Sequence, residues 1–181
     1  MSKSKSKGSA FERLVARLII DEFNKRGFKF VAEDCYRTPG SGGHVYASKQ
    51  NPSDLVLSDR LLYYFPFTIE CKRDERYDLT HFFVPIKDHQ KSWKEQHAVE
   101  QVISANTPWG LETINKRRYP MVIFQTNRNP IFCFTPADAY HHLFGAVNQE
   151  INLPVNWNGH WWVLCLFKPF LKSMIERAVK L

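Results

Sequence analysis

The chain has 181 residues, 44% hydrophobic and 14% aromatic, enough apolar surface to offset the entropy of ordering the backbone and to exclude a disordered protein. That length asks for one hydrophobic core, not two. Lys and Arg number 25 against 18 Asp and Glu, a formal net charge of +7, which favours a polyanion such as nucleic acid or an acidic membrane surface. No run of about 18 apolar residues occurs and the first residues lack the apolar stretch of a secretory signal, so a cytoplasmic location without membrane association is expected. Cys35, Cys71, Cys133 and Cys165 are scattered without a C-x-x-C pair, which excludes a zinc ribbon and a disulfide framework and leaves four free thiols.

Residues 1–8 alternate Ser and Lys with nothing apolar to pack, and predict a flexible basic arm ahead of a single domain over residues 9–181. Lys3, Lys5 and Lys7 could lie along phosphates or simply solubilise the chain. Phe11, Leu14, Val15, Leu18, Ile19 and Phe23 then follow the spacing of an amphipathic helix, with Ser9 and Glu12 fitting a capping box and Gly27 a stop. Phe28–Val31 is a short strand candidate, followed by a loop of turn formers, Arg37-Thr38-Pro39-Gly40-Ser41-Gly42-Gly43. Asp54–Leu57 and Phe65–Lys72 read as strands joined in a hairpin by the polar turn Ser58-Asp59-Arg60.

A second helix is expected near Asp88–Asn106, with Asp88 as N-cap and Trp93, Gln96 and Glu100 at helical spacing. Tyr119–Thr126 and Ile131–Thr135 form a second hairpin around Asn127-Arg128-Asn129-Pro130, and Pro136 opens a short helix carrying His141 and His142. Trp161–Phe167 is the last strand, and Pro169 starts a basic final helix that reaches Lys180. This order of helices and strands predicts a mixed α/β domain.

Alternate residues of a strand share a face, so Glu70 and Lys72 point one way while Phe67, Ile69 and Cys71 point to a core. Pairing of the neighbouring strand brings the Asp54 carboxylate close to Glu70. Two converging carboxylates repel, and a hard cation such as Mg²⁺ between them is the simplest relief. Lys72 has donors only; it can position or deprotonate a water and steady charge developing on a phosphate. An ordinary exposed ion pair on a strand explains Glu70 and Lys72 equally well when the two are taken alone.

Asp54 followed 16 residues later by Glu70-Cys71-Lys72 resembles the PD-(D/E)XK nuclease superfamily. Gly8-Ser9-Ala10-Phe11-Glu12-Arg13, the glycine loop, Asp54-Leu55-Val56 and Ile69-Glu70-Cys71-Lys72 are similar in order and spacing to archaeal and phage-type Holliday-junction resolvases, over roughly the first 75 residues. The resemblance implies a restriction-endonuclease-like core, a mixed central sheet flanked by helices, and an endonuclease acting on branched DNA as a homodimer. It makes Glu12, Asp54, Glu70 and Lys72 catalytic, with Gln96 on the following helix and Gln101 as its alternative. Mg²⁺, replaceable by Mn²⁺, would be held by Asp54, Glu70 and the Cys71 backbone carbonyl. Arg37, Ser41, Gly42 and Gly43 would touch DNA near the cut, in the host cytoplasm if the chain is phage-encoded. Pro52-Ser53-Asp54 departs from the family's Pro-Asp, so Asp59 stays open as the alternative acid.

Two further readings stand beside this one: a nuclease for linear duplex, flap or single-stranded DNA, and a non-catalytic DNA-binding or packaging module. His44, after the glycine loop, is a candidate phosphate contact. Arg73, with Arg76, Lys87, Lys91 and Lys94, forms either a phosphate-contacting surface or a solvated basic face. The remaining histidines lack any metal-ligand spacing, and Trp157, Trp161 and Trp162 are expected in the core or at a subunit interface.

Overall fold

Phe11, Val15, Ile19 and Phe23 recur every fourth residue, and they form the buried seam of the first helix, α1 (Lys3–Asn24). Leu14, also expected on that seam, is 39% exposed. In the computed structural model the described residues are 3–39, 53–73, 118–126, 129–145, 152–157 and 160–181, without the side chains of 3–7 and 157. The helix begins at Lys3, not Ser9, so Lys3–Gly8 is helical and Ser9 is an interior residue instead of an N-cap. Ser and Lys oppose the helix only weakly, and extending an existing helix adds one hydrogen bond per residue fixed. Gly27, at φ 93°, supplies the left-handed residue that ends it.

Phe28–Val31 does not become a strand. The Asn24 side chain takes both backbone groups of Phe30, accepting from its N–H and donating to its C=O at 2.8 Å each, which removes the need for a strand partner. Phe28 and Phe30 instead pack edge-on against Phe23, with centroids 5.2 and 5.5 Å away. A 3₁₀ turn (Ala32–Asp34) leads into β1 (Cys35–Arg37), which pairs antiparallel with β2 (Leu55–Leu57). The expected hairpin between β2 and the next strand is therefore absent. Ser58 instead caps a short helix, α2 (Asp59–Tyr64), by accepting from Leu61 N–H, and that helix separates β2 from β3 (Phe67–Arg73).

Among the described residues the main sheet has five strands in the order β3, β4 (Tyr119–Gln125), β5 (Phe132–Pro136), β7 (His160–Leu166), β6 (Asn152–Trp157). β3 and β4 run parallel, and the other neighbours are antiparallel, including the expected β4–β5 hairpin. Pro136 leads into α3 (Ala137–Phe144), and α4 (Phe167–Ala178) closes the chain with Pro169 in its first turn, where no N–H partner is needed. β6 was not foreseen. It carries Pro154, which suits the edge position it holds among the described strands.

Phe67, Ile69 and Cys71 join Met121, Ile123 and Cys133 beneath α1 and α4, whose Val15, Ile19, Phe170 and Met174 complete this core. The other face holds a smaller cluster, in which Trp162 stacks on Phe134 with centroids 4.8 Å apart, while Trp161 is 58% exposed. In register, Glu70 lies beside Val122 and Lys72 beside Phe124, so the charged pair shares the sheet face of this smaller cluster. The architecture is α/β, a mixed sheet flanked by helices, consistent with a restriction-endonuclease-like fold. All four cysteines are buried free thiols. No helix of the described residues is long and apolar enough to cross a membrane.

Candidate active site

Asp54 stands where the small β1–β2 ladder meets the edge of β3, and three hydrogen bonds fix it there. Its N–H donates to Ile69 C=O at 3.0 Å, its C=O accepts from Thr38 N–H at 2.8 Å, and its Oδ2 accepts from Cys71 N–H at 2.8 Å. Thr38 Oγ1 in turn donates to Ser53 C=O, and Ser53 Oγ to Leu55 C=O, both at 2.6 Å and both buried. The serine between Pro52 and Asp54 is thus a buried brace. Asp54 reaches β3 without the hairpin that the sequence suggested. Asp59 lies exposed in the first turn of α2, past the opposite end of β2.

Glu70 is only 6% exposed, and Lys72 Nζ donates to its Oε1. The Asp54 and Glu70 carboxyls lie close enough for each to shift the other's proton affinity. Burial first and the charge of Glu70 second push the Asp54 carboxyl up to about 7. Burial also raises Glu70, against the pull of Lys72. For Lys72, burial opposes the charge, but Glu70 and Asp54 outweigh it and raise its pKa, so the side chain is an ammonium. In this arrangement Lys72 is a hydrogen-bond donor and a positive charge; it has no free lone pair with which to deprotonate a water.

Glu12 is 8% exposed on α1, and its Oε2 accepts from Arg37 Nε at the end of β1. Its charge reaches both Asp54 and Glu70 and raises them further. Three acids therefore face two cations, Lys72 and Arg37, at the rim of the sheet. Arg37, expected to touch DNA, is ion-paired with Glu12; the two lie 25 residues apart in sequence, and nothing local announces their pairing. Thr38 and Ser53 also escaped sequence reading, because their role is visible only once β1 and β2 are paired.

No group of three or more His, Cys, Asp or Glu side chains with the geometry to hold a metal occurs among the described residues. Asp54 and Glu70 nevertheless present hard oxygen donors at one point, where the charge of Glu70 adds to burial in raising Asp54. That donor set fits a divalent cation of the Mg²⁺ kind, which binds through one or two carboxylates and keeps several waters. Arg73 is exposed at the end of β3, next to the site. Ser41, Gly42, Gly43, His44 and Gln96, with the expected helix Asp88–Asn106, lie outside the described residues, as do the side chains of Lys3, Lys5 and Lys7. His141 and His142 are exposed on α3, away from any acidic cluster.

A mixed sheet with one buried and one half-buried carboxylate and a lysine at the end of one strand has the elements of a metal-assisted phosphodiesterase. The chain belongs to the family described as "Phage putative PDDEXK endonuclease", whose model matches residues 3–174. Membership supports nuclease activity, and nucleases of this superfamily generally use divalent metals. No curated protein and no solved structure matches the chain.

Proposed function

We propose that this chain is a Mg²⁺-dependent endonuclease that hydrolyses phosphodiesters in branched DNA, with Glu12, Asp54, Glu70 and Lys72 as its catalytic residues and Gln96 assisting. The observation that carries this reading is the convergence at β3 of Asp54, which accepts from Cys71 N–H, and Glu70, which accepts from Lys72, in a member of a PDDEXK endonuclease family. Asp54, Glu70 and the Cys71 carbonyl would hold the cation. Bound there, Mg²⁺, or Mn²⁺ in its place, supplies Lewis-acid neutralisation of the charge on the scissile phosphate.

The protein's own residues do the rest. The Lys72 ammonium, steadied by Glu70, donates hydrogen bonds that orient the attacking water and stabilise charge developing on the phosphate oxygens. Glu12 holds Arg37 at the rim, where a guanidinium suits bidentate contact with a phosphate. Ser41, Gly42, Gly43 and His44 contact the DNA backbone near the cut, and Arg73 and the lysines of the first turns, Lys3, Lys5 and Lys7, extend that contact. A four-way junction needs two symmetric cuts, and a two-fold dimer supplies them.

Glu70→Ala and Lys72→Ala are expected to abolish cleavage of a four-way junction in Mg²⁺ while retaining junction binding in a gel-shift assay. Either variant cutting at the wild-type rate would remove these residues from the chemistry. A matched linear duplex in the same assay tests the substrate: equal cleavage of both would overturn the preference for branched DNA and leave the nuclease in place.

A further inference from the structure

Far from the carboxylates, α1 and α4 meet in a groove lined by more cations than acids among the described residues. Two adjoining hollows of about 420 and 330 Å³ share Arg26 and the buried Ile175. Lys168 and Lys172 line the first and Lys180 the second. Both acids in the groove are engaged: Glu22 pairs with Lys25 at 2.5 Å and Glu176 with Lys172 at 3.9 Å. Arg26, Lys168 and Lys180 make no ion pair among the described residues. These cations leave the groove with an excess of positive charge along its length, which favours a polyanion.

We infer that this groove is a second contact for the phosphate backbone of the DNA substrate, remote from the point of cleavage. The inference takes its ligand from the nuclease reading. Lys168 to Lys180 spans roughly 18 Å at 1.5 Å per residue, a length over which duplex DNA carries about ten charges. Arg26 lies two residues past the end of α1, the helix that carries Glu12, roughly 20 Å away by the same rise. One rigid helix thus joins the groove to the site, so DNA held in the groove is held at a fixed distance from the acids. With few donors other than cations in its lining, the groove contributes affinity and alignment without sequence preference.

The test is the salt dependence of duplex binding by the full chain, measured by fluorescence anisotropy without divalent metal so that no cleavage intervenes. Arg26→Ala/Lys168→Ala/Lys180→Ala is expected to lower the slope of log K against log salt by about 2 to 3 and to weaken binding roughly tenfold near 0.15 M salt. Lys168→Glu alone, at an exposed position, is expected to lower the slope by about 1 or more, which guards against a folding defect in the triple variant. Arg13→Ala/Arg17→Ala, on the exposed side of α1, is the control for net charge and should have the smaller effect per charge removed. Unchanged slopes in the groove variants, or an equal effect per charge in the control, would overturn the inference. So would loss of binding to anionic lipid vesicles with DNA binding intact. Wild-type cleavage in Mg²⁺ is scored separately: an uncut substrate would sink the nuclease and leave the slopes to decide the groove.

Discussion

With its carboxyl pushed up to about 7 by burial and then by Glu70, Asp54 binds a proton more tightly in the folded chain than in the unfolded one. Between an ordinary carboxylate value of 3.8 and about 7 the native state therefore holds more proton, and stability falls as pH rises through that window. Above it the full penalty is present. Asp54→Asn keeps an oxygen for the Cys71 N–H and removes the charge. Each tenfold change in proton affinity between the two states is equivalent to about 1.4 kcal/mol, so the variant is expected to stabilise the metal-free chain at pH 8 by a few kcal/mol and to bring no gain at pH 4. Urea denaturation across that range is the measurement, and equal gains at both ends would show that the charge is not what destabilises. Added Mg²⁺ should narrow the difference at pH 8, because an ion that binds only the native wild-type chain stabilises it selectively. Stability given up at a carboxylate of this kind is what a residue selected for binding a cation would show.

At the scale of elements, the features legible in the sequence were those whose partners are local. The seam of α1 repeats within one helix, the β4–β5 hairpin closes through a few residues, and Pro136 opens α3 directly after its strand. β1 pairing with β2, and the conversion of Ser58-Asp59-Arg60 into the start of α2, depend on a distant acid. Asp34 accepts from Ser58 Oγ at 2.6 Å, from Val31 N–H at 2.9 Å and from Arg60 at 2.9 Å. Burial works against its charge, but Ser58, Val31 and Arg60 together hold its carboxyl below the usual value. This stabilisation is complete above about pH 4 and is lost as pH falls through the lowered folded-state value. Ser58→Ala deletes one of those bonds and the cap of α2 at once, and should cost about 1–2 kcal/mol at pH 7 in urea denaturation. The cost should shrink as pH falls through the lowered folded-state value and the carboxyl takes up its proton; a cost independent of pH would assign the effect to the cap alone.

For the molecule as a whole, the order of motifs pointed to the acids that come together, since Glu12, Asp54, Glu70 and Lys72 are carried by elements that converge on the rim of β3. It did not reveal Arg37 as the partner of Glu12, or Thr38 and Ser53 as the braces of Asp54, because those contacts exist only between elements brought together by folding. If the cut is made by two symmetric copies, sedimentation at micromolar concentration is expected to show a mass of two chains, and a monomer that cuts both strands of a junction would remove the dimer from the mechanism. β3 also pairs parallel with β4, and residues 74–118 separate the two strands. A parallel pair needs a long crossover, whereas β4 and β5 can zip together through a short turn. The strand that carries Glu70 and Lys72 therefore gains β4 as its neighbour only through a pairing distant in sequence. β4 and β5 are therefore expected to pair before β4 takes β3 as its other neighbour, an order that pulsed amide exchange would read directly.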